Sequence, residues 1–384
     1  SSSVFEEFRK LVQFSKMFDS IVGKSNHVPN QGELINLQNL GTSLYAKRNI
    51  KVGEKTSLED YEVKAPRIGV SSGVFHKNFN LKSIQKKLNK GQPLLAKYFS
   101  NVKEEVKPEV RQFAQKNMLG LPVRLHDYAF MRRTFELKTY EFHLSYTEAL
   151  SGDFKKVLTT IDPDENISIH LPDYIPGNRL LNPVSRSEEI RLLSRKLIDN
   201  VSWFAKKIED KTSKKVNIIG SFSQSFYDER ERNLEEIFEF ITDTNKNILP
   251  QWLPVFAWYF GGAVKLRLFN AFEDITYMRL NNCKICLDVS HLVMAASYYN
   301  ANWKEWYVSL QPCVEHVHVS DASGATSEGL MFGEGIIGNF SDILLIKKLK
   351  IIECWQGHVN EGEGFKQALE TLYAQSMEQE RKNA

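Results

Sequence analysis

The sequence predicts an α/β protein: a (β/α)8 barrel preceded by a small β-rich domain. Two observations carry this. From about residue 126 onward, short apolar runs alternate with helical stretches, the pattern of a parallel sheet with crossover helices. Between 42 and 104 the runs are instead short and divided by turn signals. About 250 residues of alternating units fit a closed barrel. An open doubly wound sheet is the runner-up, but no Gly-rich phosphate loop follows the first strand candidate.

The elements follow in order. Residues 4–24 place Phe5, Phe8, Leu11, Val12, Met17, Phe18 and Ile21 at helical spacing. A polar connector with Pro29 runs to Gly41, so 1–39 reads as helix and linker. Segment 40–104 holds a weak internal repeat: 50–63 aligns with 88–101, and Gly53 matches Gly91. Each unit reads as a strand, a Gly turn and a short helical turn, and two such units can pair about a pseudo-dyad. Residues 105–125 are charged and then carry Leu119-Gly120-Leu121-Pro122, which predicts a linker. The barrel is expected over 126–378. Its strand candidates are 139–145, 166–172, 215–222, 247–256, 284–290, 314–321 and 349–356, with helices at 187–210, capped by Ser187, and at 233–245.

Composition excludes several classes. Of 384 residues, 42% are hydrophobic and 25% charged, so a large core is available and disorder is not expected. The net charge of +3 is too weak to argue for nucleic acid, and no nucleic-acid partner is expected. There is no apolar stretch of about 18 residues free of charge, so no membrane span is expected. The N-terminus has no signal-peptide core, and Cys283, Cys286, Cys313 and Cys354 form no disulfide framework. The chain is therefore read as cytoplasmic. Cys283 and Cys286 stand in a CxxC spacing with no second pair, and read as buried thiols.

Barrel active sites lie at the C-terminal ends of the strands. Polar residues gather at those positions: Glu141, His143, His170, Gln251, Asp288, His291, His316, His318, Asp321, Glu353 and His358. A single strand histidine is usually a hydrogen-bonded core residue, and an Asp after a strand is often a helix cap. Successive strands that each end in Asp, His or Glu are harder to explain as caps. Mixed carboxylate and imidazole suit a divalent metal: Mn, Zn, Co or Mg. The acidic, Gly-rich segment 321–344 reads as a loop over the site, with Glu328 able to reach a substrate. Trp258 and Tyr259 read either as core or as the wall of a sugar pocket.

The set CLDVSHL (286–292), HVHVSD (316–321), GEGIIGNFSDIL (333–344) and IIECWQGH (351–358) resembles the xylose isomerase-like superfamily. That superfamily holds sugar isomerases and epimerases together with endonuclease IV-type metal hydrolases. The resemblance covers about 126–378. It implies Asp288, His318, Glu353 and Gln251 as metal positions and Glu353 and Gln251 as the catalytic pair. It implies His291 at the substrate or a second metal and Asp321 and Glu328 in the outer shell, and with the strand-end residues His170, His143, Glu141 and His358 and with Trp258 these are expected around the substrate. The family position of Gln251 is a glutamate; an amide cannot act as a base. Residues 43–71, SLYAKRNIKVGEKTSLEDYEVKAPRIGVS, resemble the SAF (antifreeze-like, β-clip) domain of sialic acid synthases, and the likeness extends over 40–104. Lys64-Ala65-Pro66 stands where those domains carry Lys-Arg-Pro, with Arg67 nearby. The first helix resembles the end of a synthase barrel, which implies a longer fusion protein.

The resemblance implies a metal-dependent isomerase or epimerase acting on an amino sugar or nonulosonic (sialic) acid precursor. It implies a homodimer, fused to or associated with a synthase barrel. The alternative is a non-catalytic sugar-binding or assembly module. An endonuclease IV-like phosphodiesterase is a third reading, which the absence of a basic composition disfavours.

Overall fold

The computed structural model describes residues 4–22, 31–99, 105–224, 230–244, 246–259 and 262–383. Eight strands form a parallel barrel: β1 (Leu119–Val123), β2 (Thr139–His143), β3 (Asn166–His170), β4 (Ile218–Gly220), β5 (Ile248–Pro250), β6 (Ile285–Asp288), β7 (Val314–Val319) and β8 (Lys350–Ile352). Their order around the sheet is β6-β7-β8-β1-β2-β3-β4-β5. The two ends meet at a parallel bridge between Gln251 and Cys286, where the Trp252 N–H donates to the Cys286 carbonyl at 2.9 Å. The expected (β/α)8 barrel is present.

Helices follow the strands. Glu188–Thr212 buries Leu197, Ile198, Val201, Phe204, Ala205 and Ile208 at helical spacing, and Phe204 stacks on Phe154 with ring centroids 4.3 Å apart. Its Ser187 cap makes no side-chain bond. After β2, Ser145 and Glu148 form a reciprocal capping box: Ser145 Oγ accepts the Glu148 N–H at 3.2 Å, and Glu148 Oε2 accepts the Ser145 N–H at 2.9 Å. No helix among the described residues is long and apolar enough to cross a membrane.

Segment 105–125 differs from the linker expectation. It contains the helix Pro108–Lys116 and then β1. Gly120 and Pro122 carry the turn signal, yet both serve the strand. A Cβ at Gly120 would lie 2.6 Å from Thr139, so glycine lets β1 approach β2. Pro122 lies beyond the stretch paired with β8, which ends at Gly120, so its missing N–H breaks no bond on that side. Counting β1 moves Gln251 to the end of the fifth strand, Asp288 to the sixth and His318 to the seventh.

A second, separate core is built from Leu44, Ile50, Tyr61, Phe75, Ile84, Leu88, Leu94 and Tyr98. Ser43–Ala46 pairs antiparallel with Tyr61–Lys64. The two repeat units meet symmetrically. Ile50 and Leu88 exchange both backbone hydrogen bonds, at 2.8 and 3.1 Å. The Gly53 N–H donates to Ile84 and the Gly91 N–H to Ala46, each at 2.7 Å, and both glycines have positive φ. Residues 100–104, up to the expected boundary, residues 23–30 with the Pro29 of the connector, and Ser1–Ser3 lie outside the described residues.

The polar connector contains a helix, Gln31–Leu40, that reaches the barrel. The Gln31 side chain accepts the Glu328 N–H at 2.8 Å and donates to the Glu328 carbonyl. Gly32 lies so near the Trp258 ring that a Cβ there would meet it at 2.6 Å. Lys97 pairs with Glu361 at 2.6 Å and donates to the Asn360 carbonyl at 2.8 Å. The first helix, Phe5–Val22, leaves Phe5, Phe8 and Leu11 exposed.

Candidate active site

Alternation along a strand sends every second side chain inward. In this barrel that rule stacks two polar layers. The upper layer, at the C-terminal strand ends, holds His143, His170, Gln251, Asp288, His318 and Glu353. The layer below holds Glu141, Ser168, Cys286 and His316, all fully buried. Above them opens a cavity of about 680 Å³ lined by His143, His170, Gln251, Asp288, His291, Glu328 and Glu353, among others.

Asp288 ends β6 and caps the following helix, with Oδ1 accepting the His291 N–H at 2.9 Å. Its Oδ2 accepts from Gln251 Nε2 at 3.1 Å. His318 places Nδ1 2.8 Å from Glu353 Oε2 and Nε2 2.9 Å from Glu141 Oε1. Asp288, His318 and Glu353 each offer one ligand atom, and these atoms lie within 4.8 Å of one another. Two hard carboxylates and an imidazole are a donor set that fits a divalent metal. Glu353 is the partly open member, its side chain 28% exposed to the cavity.

The charges are strongly tuned. Burial pushes the Asp288 carboxyl up to about 6, although His291 pulls against it. Burial also works against a charged His291, but Asp288 and Glu328 outweigh it and push the ring up to about 9. Burial disfavours a charged His318, yet Cys286, Glu353 and Glu141 hold its affinity for a proton well above the ordinary histidine value. Burial resists ionisation of Glu353, but His318, with His143 and His170, holds it well below the carboxylate range. For His143, burial wins over Glu141 and lowers the ring's value.

Gln251, expected among the ligands, stands at the cluster within a hydrogen-bond network. Its Oε1 accepts from Ser221 Oγ and faces His170 Nε2, both at 3.0 Å. Its NH₂ therefore faces Asp288, and a flipped amide would set oxygen against carboxylate. Its Nε2 also lies 3.1 Å from His318 Nδ1, so the amide stands directly beside the cluster. Glu141 differs from a substrate-binding position. It lies in the lower layer, with His143 Nε2 2.9 Å away and Ser168 Oγ donating at 2.6 Å.

The other candidates divide. His291 sets Nδ1 3.0 Å from the Trp252 carbonyl and Nε2 3.5 Å from Glu328, so these two meet at the mouth. Trp258 donates from Nε1 to the Thr326 carbonyl at 3.1 Å and does not line the cavity, whereas Tyr259 does. Asp321 is buried away from it and accepts the N–H groups of Ala322, Gly333, Gly335 and Ile337. His358 is half-exposed, 3.7 Å from Asp127 and outside the cavity.

Sequence reasoning missed Arg124, His126, Asp173, Tyr174, Ser221 and Trp355, which also line the cavity. Arg124 and His126 follow β1, the strand hidden by its Gly and Pro. Asp173 and Tyr174 follow β3, and strand-end position was the signal that could have found them.

No family model matches the sequence, and neither does any curated protein. Among solved structures, the AsfvAP:AG structure aligns over 69% of this chain and 98% of its own, at 12% identity and a TM-score of 0.44. An L-ribulose 3-epimerase aligns over 69% and 98%, at 10% identity and a TM-score of 0.42. A provisionally named xylose isomerase from Rhodospirillum rubrum aligns over 67% and 98%, at 12% identity and a TM-score of 0.46. With TM-scores below 0.5 these likenesses carry no argument about the chain.

Proposed function

We propose that the chain is a divalent-metal-dependent enzyme of isomerase or epimerase type acting on a small sugar. The carrying observation is the convergence of Asp288, His318 and Glu353 within 4.8 Å at the floor of an open cavity. A bound divalent ion at these residues supplies Lewis-acid polarisation of a carbonyl or hydroxyl oxygen. Glu353, the carboxylate open to the cavity, moves the proton. Gln251 cannot serve as its partner. The Glu328–His291 pair, at the same mouth, provides the second proton-handling position. Glu141 lies behind His318, 2.9 Å from Nε2. Arg124 is the one lysine or arginine among the described lining residues, and it gives an acidic group on the sugar a partner.

An amino sugar or nonulosonic acid precursor is the substrate class we favour. The symmetric repeat of the small domain supports reading it as SAF-like, with a homodimeric, cytoplasmic protein linked to a synthase barrel as the corresponding setting.

Metal content and proton exchange test the reading. Wild type is expected to lose one metal equivalent in Asp288→Ala. It is expected to exchange a sugar C–H with D₂O, a rate that Glu353→Gln lowers by roughly 10²–10⁴-fold. Metal bound without exchange on any amino sugar would favour the second reading, a non-catalytic sugar-binding module. The observation that favours that module is the amide of Gln251 beside Asp288. No metal in any variant would remove the enzyme reading.

A further inference from the structure

Barrel lumens are ordinarily filled by branched apolar side chains. Here the layer beneath the cavity holds Glu141, Cys286 and His316, none of them exposed. Cys286 and His316 are partners across the β6–β7 ladder. The His316-x-His318 spacing sets two imidazoles on one face of β7. The Cys286 sulfur and one ring nitrogen from each histidine lie within 4.8 Å of one another. Glu141 enters from β2, with Oε2 2.9 Å from His316 Nε2 and Oε1 2.9 Å from His318 Nε2.

Those close contacts are not directed hydrogen bonds. Neither ring nitrogen of His316 has a hydrogen-bond partner, nor does Nε2 of His318. Buried polar groups are ordinarily satisfied in pairs. Three ring nitrogens that converge here without a directed hydrogen bond are arranged like ligands around a cation.

We propose that Cys286, His316 and Nε2 of His318 form a second metal site of the zinc class, closed to solvent, with Glu141 beside it. One thiolate and two imidazoles are three ligands of the zinc class, Glu141 is the nearest further oxygen, and the complete burial of all four side chains makes the site structural. The site uses Cys286 without its CxxC neighbour Cys283. Binding at the lower site expels the Cys286 thiol proton and the proton on His318 Nε2, and with the upper site also filled the Nδ1 proton leaves too, so the ring bridges as imidazolate. His318 then presents Nδ1 to the cavity layer and Nε2 to the layer below, so its ring joins the two.

Cobalt distinguishes the layers, because only the lower one contains sulfur. The chain would be produced in cells supplied with Co²⁺, so that the metal is present while the barrel closes. The purified full chain would be examined for metal content and for a near-ultraviolet thiolate-to-cobalt charge-transfer band. We expect the band in wild type. Cys286→Ser and His316→Gln should each remove it together with one equivalent of cobalt. Asp288→Asn should remove one equivalent and keep the band. The band with no cobalt in the upper layer would still support the lower site, while counting against the enzyme reading. Bound cobalt without the band, a band that survives Cys286→Ser, or no bound cobalt would each overturn the proposal. If one variant fails to fold, the other variant and the wild-type spectrum still decide.

Discussion

Lys350 enters the barrel floor fully buried, and its Nζ donates to the carbonyls of Asn117, Ile346 and Lys348 at 2.8, 2.6 and 3.1 Å. Burial, with Lys347 nearby, pushes its ammonium down to about 8. In an unfolded chain a lysine titrates near ~10.4. Between these values the unfolded state binds more protons, so stability rises with pH through that window. The full rise amounts to about 3 kcal/mol. Denaturant melts across the window should show it in wild type and not in Lys350→Met; equal slopes in the two proteins would refute it. Nothing in the sequence announces this burial, because lysine ordinarily keeps its head in water. Asp288, His318 and Glu353 were legible for the opposite reason: a strand-end position is a local signal. The orientation of Gln251 was not, because it depends on Ser221 and His170, contributed by two other strands.

Segment 321–344 was legible as a long loop over the site, but its internal order was not. The hairpin formed by Asp321–Ser323 and Ser327–Leu330 leads into a turn gathered on one carboxylate. Asp321 accepts four backbone N–H groups, at 2.9 to 3.2 Å. Gly335 must lack a side chain, since a Cβ would lie 2.2 Å from Asp321 Oδ1. Asp321→Ala strands those donors and should cost roughly 3 kcal/mol or more, while Asp321→Asn keeps part of the set. Thermal melts would measure the loss, and proteolysis of the segment should rise in step. An Ala variant as stable and protease-resistant as wild type would remove Asp321 from this role. The strand β1 escaped sequence reading because its Gly and Pro, which normally punctuate loops, here answer to Thr139 and to the end of β8.

The whole molecule joins a symmetric small domain to a barrel, with the connector helix held through Gln31 on Glu328 and the small domain through Lys97 on Glu361. The alternation of strands and helices made the barrel legible. The contacts between the two cores were not, since they pair residues nearly three hundred positions apart. The junction between β5 and β6 sets the barrel's most exposed mechanical detail. It is a single bridge at Gln251 and Cys286, supported by the Trp252 N–H, rather than a ladder. It therefore behaves as a latch, and the Trp252 amide should exchange with solvent sooner than ladder amides such as Ile169. A metal held by β6, β7 and β8 does not cross the latch. A sugar in the cavity does, because Gln251 and Pro254 line it from one side and Asp288 and Ser290 from the other. Exchange at this one amide should be slowed by substrate beyond any effect of metal. One backbone proton would then serve as a reporter for sorting candidate sugars before any reaction has been observed.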